Sequence, residues 1–226
     1  MEQIGERIWV KRFDCRVFGA NLGKTVTVMR LASGPVVVHS AGPLSESDYD
    51  GIREIGEPGW LMEGSRAHDT FSKQLRAAFP QATYLLPPKF PIAARKLAPA
   101  QTLRASVGPD EWGDEIGIHR VGGIPALSEH AVLHRPSRTL ILSDLMMNLE
   151  IPPRGRIPFF LRWVSGFKSF PATSRLLRAF VRDPEAVAAS VETLLAWDFD
   201  RVVVGHGAFV ENNAKATLAS VLAWAR

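Results

Sequence analysis

Apolar residues fall along the chain in two rhythms, one with the period of a strand and one with that of a helix. Residues 8–10 begin a short apolar strand. TVTVMRL (25–31) alternates with the period of two expected of a strand, and PVVVHS (35–40) follows a Ser-Gly turn, so the pair predicts a β-hairpin. A helix is predicted over 45–55, where Ser45, Glu46 and Asp48 supply start signals and Gly56 a stop. GWLMEG (59–64) reads as a short buried strand. Over 68–79, Phe71, Leu75, Ala78 and Phe79 recur at helical steps, and 83–86 returns to strand.

Residues 87–115, rich in Pro, Ala and charge, show no dominant period. Strands are predicted at 116–121, 130–134 and 139–142, the last two joined by the turn RPSR. The basic and aromatic stretch 146–183 predicts one or two helices. Residues 184–197 form an amphipathic helix with Asp183 as N-cap and Pro184 at its first position. A strand at 202–204 and a helix over 211–224 complete the pattern. Strands punctuated by helices, ending βα, predict a two-layer or four-layer α/β domain over the whole chain.

Composition narrows the class. With 46% hydrophobic and 22% charged residues, the 226-residue chain is a globular one able to bury a large core. A net charge of +4 with scattered basic residues argues against a nucleic-acid surface. The single Cys15 fits a reducing compartment. The first residues are charged throughout and no long uncharged apolar window occurs, so a cytoplasmic location is expected.

Candidate chemistry collects where strands stop, because ligands of α/β sheets lie beyond strand termini. His39 closes PVVVHS, Asp144 closes TLILSD, His206 closes RVVVGH, and His68 follows GWLMEGSRA. Imidazole and carboxylate are ligands for Zn²⁺, Fe or Mn²⁺. Each has a plainer reading: a strand-end histidine as a hydrogen-bonded ring, Asp144 as a helix cap. The glycines around His206 favour the ligand reading, since they admit close backbone approach. His119 and His130 read as structural or exposed, and His134 as a surface ring. GANLGKT (19–25) is not a phosphate loop, because only three residues separate its glycines and a strand follows it. No G-x-S-x-G elbow occurs.

The stretches RLASGPVVVHSAGPLS, HDTFSKQLRAAFPQATYLLPP, PALSEHAVLHRPSRTLILSDLMMN and DRVVVGHGAFV resemble the metallo-β-lactamase fold superfamily, and within it the DUF4336 branch. The resemblance implies a four-layer αββα sandwich with a metal site at one edge of its sheets. It makes Asp144 the bridging aspartate, His206 the final histidine and His68 the last histidine of the first ligand loop. Earlier positions of that loop hold Glu63, Ser65 and Ala67, and Glu129 stands where a later histidine is expected. Ser65 and Ala67 offer neither imidazole nor carboxylate. The set therefore implies one divalent metal (Zn, Fe or Mn) on His68, Asp144 and His206, or none, with Glu129 as base or fourth ligand and Glu63 or Asp69 as helpers.

Two functions follow as expectations: a mononuclear metal-dependent hydrolase of a small-molecule substrate, or a non-catalytic protein of the same fold that binds a small molecule or partner. Residues 157–182 carry Arg162, Lys168, Arg175, Arg178 and Arg182 among aromatics and no acid. They read as a helical pair covering the site, or else as a lid for an anionic or lipid-like substrate or a contact with anionic membrane.

Overall fold

A computed structural model describes residues 1–17, 20–103, 106–150 and 159–226. The first half builds β1 (Glu2–Gly5), β2 (Ile8–Phe13), β3 (Arg16–Val17), β4 (Ala20–Asn21), β5 (Lys24–Arg30), β6 (Val36–His39), α1 (Glu46–Ile55), β7 (Pro58–Met62), α2 (Ser72–Ala78), β8 (Thr83–Leu86) and β9 (Ala100–Thr102). Strands β3 and β4 pair only with each other, and the rest form one sheet in the order β1-β2-β5-β6-β7-β8-β9. The second half builds β10 (Ile116–Arg120), β11 (His130–His134), β12 (Thr139–Leu142), α3 (Arg175–Ala179), α4 (Pro184–Ala196), β13 (Arg201–Val204) and α5 (Ala214–Val221), with a sheet ordered β10-β11-β12-β13.

Both sheets are buried on both faces. Between them lie Val10, Met29, Val37 and Met62 of the first sheet against Ile118, Val132, Ile141 and Val203 of the second. The outer face of the first sheet packs Val26, Val28, Val38 and Leu61 under Ile52 of α1 and Leu75 of α2. The outer face of the second packs Leu133, Leu140 and Val204 under Val187, Val191 and Leu194 of α4 and Leu218 of α5. This is the four-layer αββα arrangement. It explains why β6 and β13 read VVVH and RVVV rather than alternating: a strand covered on both faces needs apolar side chains in both directions. Each such side chain contributes roughly 1.5–3 kcal/mol by leaving water.

The hairpin is present as antiparallel β5 and β6, with Thr27 opposite His39. Strand β6 then continues into parallel β7 and β8, with α1 and α2 as the crossovers, and β12 lies parallel to β13. Asp183 caps α4, its Oδ1 accepting the Ala186 N–H at 3.0 Å, with Pro184 at the first turn.

Several expectations change. The helix expected from residue 68 starts at Ser72, because residues 64–71 are held in a loop by contacts to the other half of the chain, including Arg66 N–H to the Leu127 carbonyl. The last helix covers Ala214–Val221, and Glu211 pairs with Arg201 instead of opening it. Residues 87–115 contain β9 and two single turns at Ala94–Lys96 and Asp110–Trp112. Of the basic segment, 151–158 lie outside the described residues; the remainder holds a π-helical turn (Phe160–Val164) and α3. Its apolar side is divided: Leu161, Phe167 and Leu177 are buried, while Phe159, Trp163 and Phe180 are exposed. No helix among the described residues is long and apolar enough to cross a membrane.

His134 is not a surface ring. It is fully buried on β11, with Nδ1 at 2.7 Å from the Ser137 hydroxyl. His130 is equally buried, its Nδ1 donating to the Ser128 carbonyl at 3.0 Å. Burial pulls both rings down to about 4, and His39, enclosed at the end of β6, to about 3. Glu63, just after β7, is the opposite case. Its carboxylate accepts from the Tyr84 hydroxyl at 2.6 Å, the Ser72 hydroxyl at 3.1 Å and the Ala41 N–H at 3.2 Å, tying β8, α2 and the end of β6 together. Burial nevertheless pushes it up to about 7.

These groups give stability a maximum near pH 6.5. The three histidines favour folding above their unfolded pKa of about 6.5, and that contribution is lost as pH falls toward 4. Glu63 favours folding below its unfolded value, and its contribution is lost as pH rises through about 7. Between pH 4.5 and 6.5 three protons taken up on unfolding oppose one, so stability drops on acidification by up to about 2.7 kcal/mol per pH unit. Thermal unfolding in chelator-treated buffer should show this. A melting temperature level from pH 6.5 to 4.5 would contradict it.

Candidate metal centre

Four strands deliver their carboxyl ends to one edge of the sandwich: β6 and β7 from the first sheet, β12 and β13 from the second. Leu142 and Val204 are register partners in the parallel pair β12 and β13. Asp144 and His206 each follow two residues later, so they leave the sheet side by side. Gly205 makes this passage feasible. A Cβ there would stand 2.5 Å from the Ser143 carbonyl oxygen and 2.9 Å from Cε1 of His68. At the next turn Gly207 takes φ +98°, a conformation that L side chains rarely adopt, and its backbone runs against Asn148. The two glycines around His206 therefore answer to packing and to backbone conformation.

His68, Asp144 and His206 meet here, with one ligand atom from each gathered into a single cluster. Nε2 of His68 and Nε2 of His206 are 3.3 Å apart, and each lies 3.3 Å from Oδ1 of Asp144. The three atoms form an equilateral triangle whose edges are longer than the 2.7–2.9 Å of a charge-assisted hydrogen bond. The centre of such a triangle lies about 1.9 Å from each corner, close to the roughly 2.0–2.2 Å of Zn–N and Zn–O bonds, so the three atoms would fit one such ion.

The backbone and neighbouring side chains aim these atoms. Nδ1 of His206 stands 2.9 Å from the Gly23 carbonyl. A carbonyl only accepts, so Nδ1 carries the proton and Nε2 presents a lone pair to the cluster. Nδ1 of His68 pairs with the Ser40 hydroxyl at 3.0 Å. Ser40 adopts φ +68°, a strained setting for a residue other than glycine, and thereby directs its hydroxyl at the ring. The Thr25 N–H donates to the Gly205 carbonyl at 3.0 Å, so β5 braces the His206 loop from the other sheet.

Burial and then the Lys24 ammonium pull His68 down to about 4, against the pull of Asp144 in the other direction. The ring is neutral at pH 7, the state a ligand requires. For Asp144 burial opposes ionisation, but the imidazoles of His68 and His206 outweigh it and hold the carboxyl well below its usual range. Its Oδ2 is buried without any hydrogen-bond partner among the described residues. A cavity of about 190 Å³ opens over the cluster, lined also by Lys24, Ala67 and Phe71.

The other expected residues stand apart. Glu129 turns its carboxylate onto the backbone: Oε1 accepts from Ser143 N–H at 3.0 Å, Oε2 from Asp144 and Leu145 N–H at 2.9 and 2.8 Å. It belongs neither to the cluster nor to the lining of the cavity. Burial, then the Asp144 charge, push it up to about 8, against those three amides. Glu63 is engaged as described, and Ser65 and Ala67 offer no ligand. His39 stays behind the cluster, its buried Nε2 without a partner among the described residues. Sequence reading missed Ser40, Gly23 and Lys24. Gly23 and Lys24 both stand in GANLGKT and Ser40 ends PVVVHS, but neither motif pointed to the site.

No family model matches the chain, and no curated protein matches it. Its structure is similar to a metallo-β-lactamase from Pontibacter korlensis, at 14% identity and a TM-score of 0.62, over 98% of this chain and 97% of that one. It is similar to DIM-1 metallo-β-lactamase exposed to ceftazidime, at 15% identity and a TM-score of 0.64, over 100% and 96%. The metal-soaked Flv1 flavodiiron core from Synechocystis matches at 11% identity with a TM-score of 0.65, over 98% of this chain and 59% of that one. At these identities the likeness speaks for architecture, and the architecture is the metallo-β-lactamase fold.

Proposed function

We propose that this chain is a mononuclear metal-dependent hydrolase acting on a small molecule. The reading rests on the equilateral His68–Asp144–His206 triangle, whose two imidazoles and one carboxylate suit Zn²⁺, Fe²⁺ or Mn²⁺. A bound metal would supply Lewis acidity and a water acidified toward neutrality. The chain supplies the rest. Gly23 and Ser40 fix the rings, and Asp144, kept ionised by its neighbours, presents Oδ1 as the charged ligand. Glu129 takes a positioning role in place of base or fourth ligand, because its oxygens are engaged by the amides that carry Asp144. Our reading also keeps the chain as one domain of the DUF4336-like branch, acting in the cytoplasm without nucleic acid.

The test is elemental analysis of protein purified without chelator, together with zinc titration of the chelated protein. About one equivalent is expected, with a stabilisation of roughly 2.7 kcal/mol at a hundredfold excess over Kd. His206→Ala and Asp144→Ala should abolish both. Absence of stoichiometric metal and of any thermal shift would overturn the hydrolase and leave the alternative, a protein of this fold that binds without catalysis. The lack of ligands at Ser65 and Ala67 favours that second reading.

A further inference from the structure

Lys24 opens β5 with its side chain inside the protein, 6% exposed. It lines the cavity shared by His68, Asp144 and His206. Burial lowers its pKa, while the charges of Glu63 and Asp144 act in the other direction, and its own charge depresses both His39 and His68. The ammonium therefore stands in the electrostatic field of the cluster. Yet among the described residues no carboxylate forms an ion pair with it and no group accepts a hydrogen bond from it, although Lys11 and Arg12 on the neighbouring strand both find acids. The Lys24 side chain is largely out of water while its nitrogen faces the cavity, at a cost in hydration. A ligand anion would remove that cost.

We propose that Lys24 is an anion anchor: it holds a carboxylate or phosphate oxygen of the substrate while the cluster acts on a neighbouring bond. The shape of the cleft extends this. An apolar hollow of about 300 Å³, lined by Ile124, Leu127, Leu177 and Phe180, shares Ala67 and Asp144 with the cavity. The substrate class is thus a small anionic molecule, with its anion toward Lys24 and an apolar group on the far side of Asp144. The reaction in this statement rests on the hydrolase reading; the anion site rests on the surroundings of Lys24.

Phosphate and acetate, each titrated against matched chloride, test the two halves separately by calorimetry and thermal shift on chelated and zinc-loaded protein. Saturable binding of one or both is expected, and which binds identifies the anion. Lys24→Met should weaken it at least tenfold while leaving zinc stoichiometry at one, with zinc affinity unchanged or higher because a like charge is gone. Should that variant not fold, Lys24→Gln and Lys24→Arg serve: the first loses the anion, the second keeps it within a few-fold. Anion binding that survives Lys24→Met or Lys24→Gln, or no anion binding by the wild type, overturns the anchor. Lys24-dependent anion binding without stoichiometric zinc keeps the anchor and removes the metal reading.

Discussion

Replacing Glu129 by alanine should destabilise the protein by on the order of 5 kcal/mol and remove metal binding with it. Three consecutive amides, Ser143 to Leu145, donate to this one carboxylate, which is 1% exposed. Each such hydrogen bond is worth about 0.5–1.5 kcal/mol, and each buried amide left without its acceptor carries a penalty of about 1–3 kcal/mol. Water entering the cavity left by the side chain recovers part of this, so the sum is not taken in full. The same amides hold the backbone that turns Asp144 toward the imidazoles, so the loss is local as well as global. Glu129→Gln should be intermediate, because its amide oxygen can still accept while its NH₂ opposes a peptide N–H. Urea unfolding and zinc titration on the same samples measure both effects. A Glu129→Ala protein with wild-type midpoint and full zinc occupancy would show that Asp144 is held by something else.

Gly207→Ala is expected to cost about 3–5 kcal/mol and to weaken zinc binding at least tenfold. The added Cβ would sit 2.0 Å from the Asn148 oxygen, 2.3 Å from its carbonyl carbon and 2.8 Å from Leu149 N. All are backbone atoms that cannot turn aside as a flexible side chain would. The φ of +98° adds strain of its own. Around it the chain is laced to Asn148: Asn148 N–H donates to the His206 carbonyl at 3.0 Å and Ala208 N–H to the Asn148 carbonyl at 2.8 Å. Forcing these strands apart moves His206 away from the other two ligand atoms. Gly51→Ala is the control of opposite sign. It lies within α1 with no atom near the new methyl, so alanine should stabilise by about 0.5–1 kcal/mol. Equal denaturation midpoints for the two variants would refute the argument for Gly207.

Much of this molecule is written in local pattern. The unbroken valines of β6 and β13 require strands covered on both sides, and Asp183 followed by Pro184 marks the start of α4 without reference to anything distant. The identity of the three clustered residues also follows from their places at strand ends together with a resemblance in the order of motifs. What those residues do was decided by tertiary contacts. His68 leaves the helical pattern expected for it because the loop 64–71 is held by the other half of the chain. His39 turns out to be a buried bystander, and the next residue, Ser40, carries the contact to the site. Glu129 faces amides rather than the cavity. Lys24, which alternation alone leaves outside its strand, ends within it as a charge with no ion-pair partner among the described residues. The physical reason is common to all four. Hydrophobic periodicity specifies which face of an element is buried, through neighbours two residues away in a strand and three or four in a helix. The direction of a polar side chain past a strand end depends instead on the register of strands that lie some sixty residues apart in the chain, as β12 and β13 do, and on which backbone groups remain there to be satisfied.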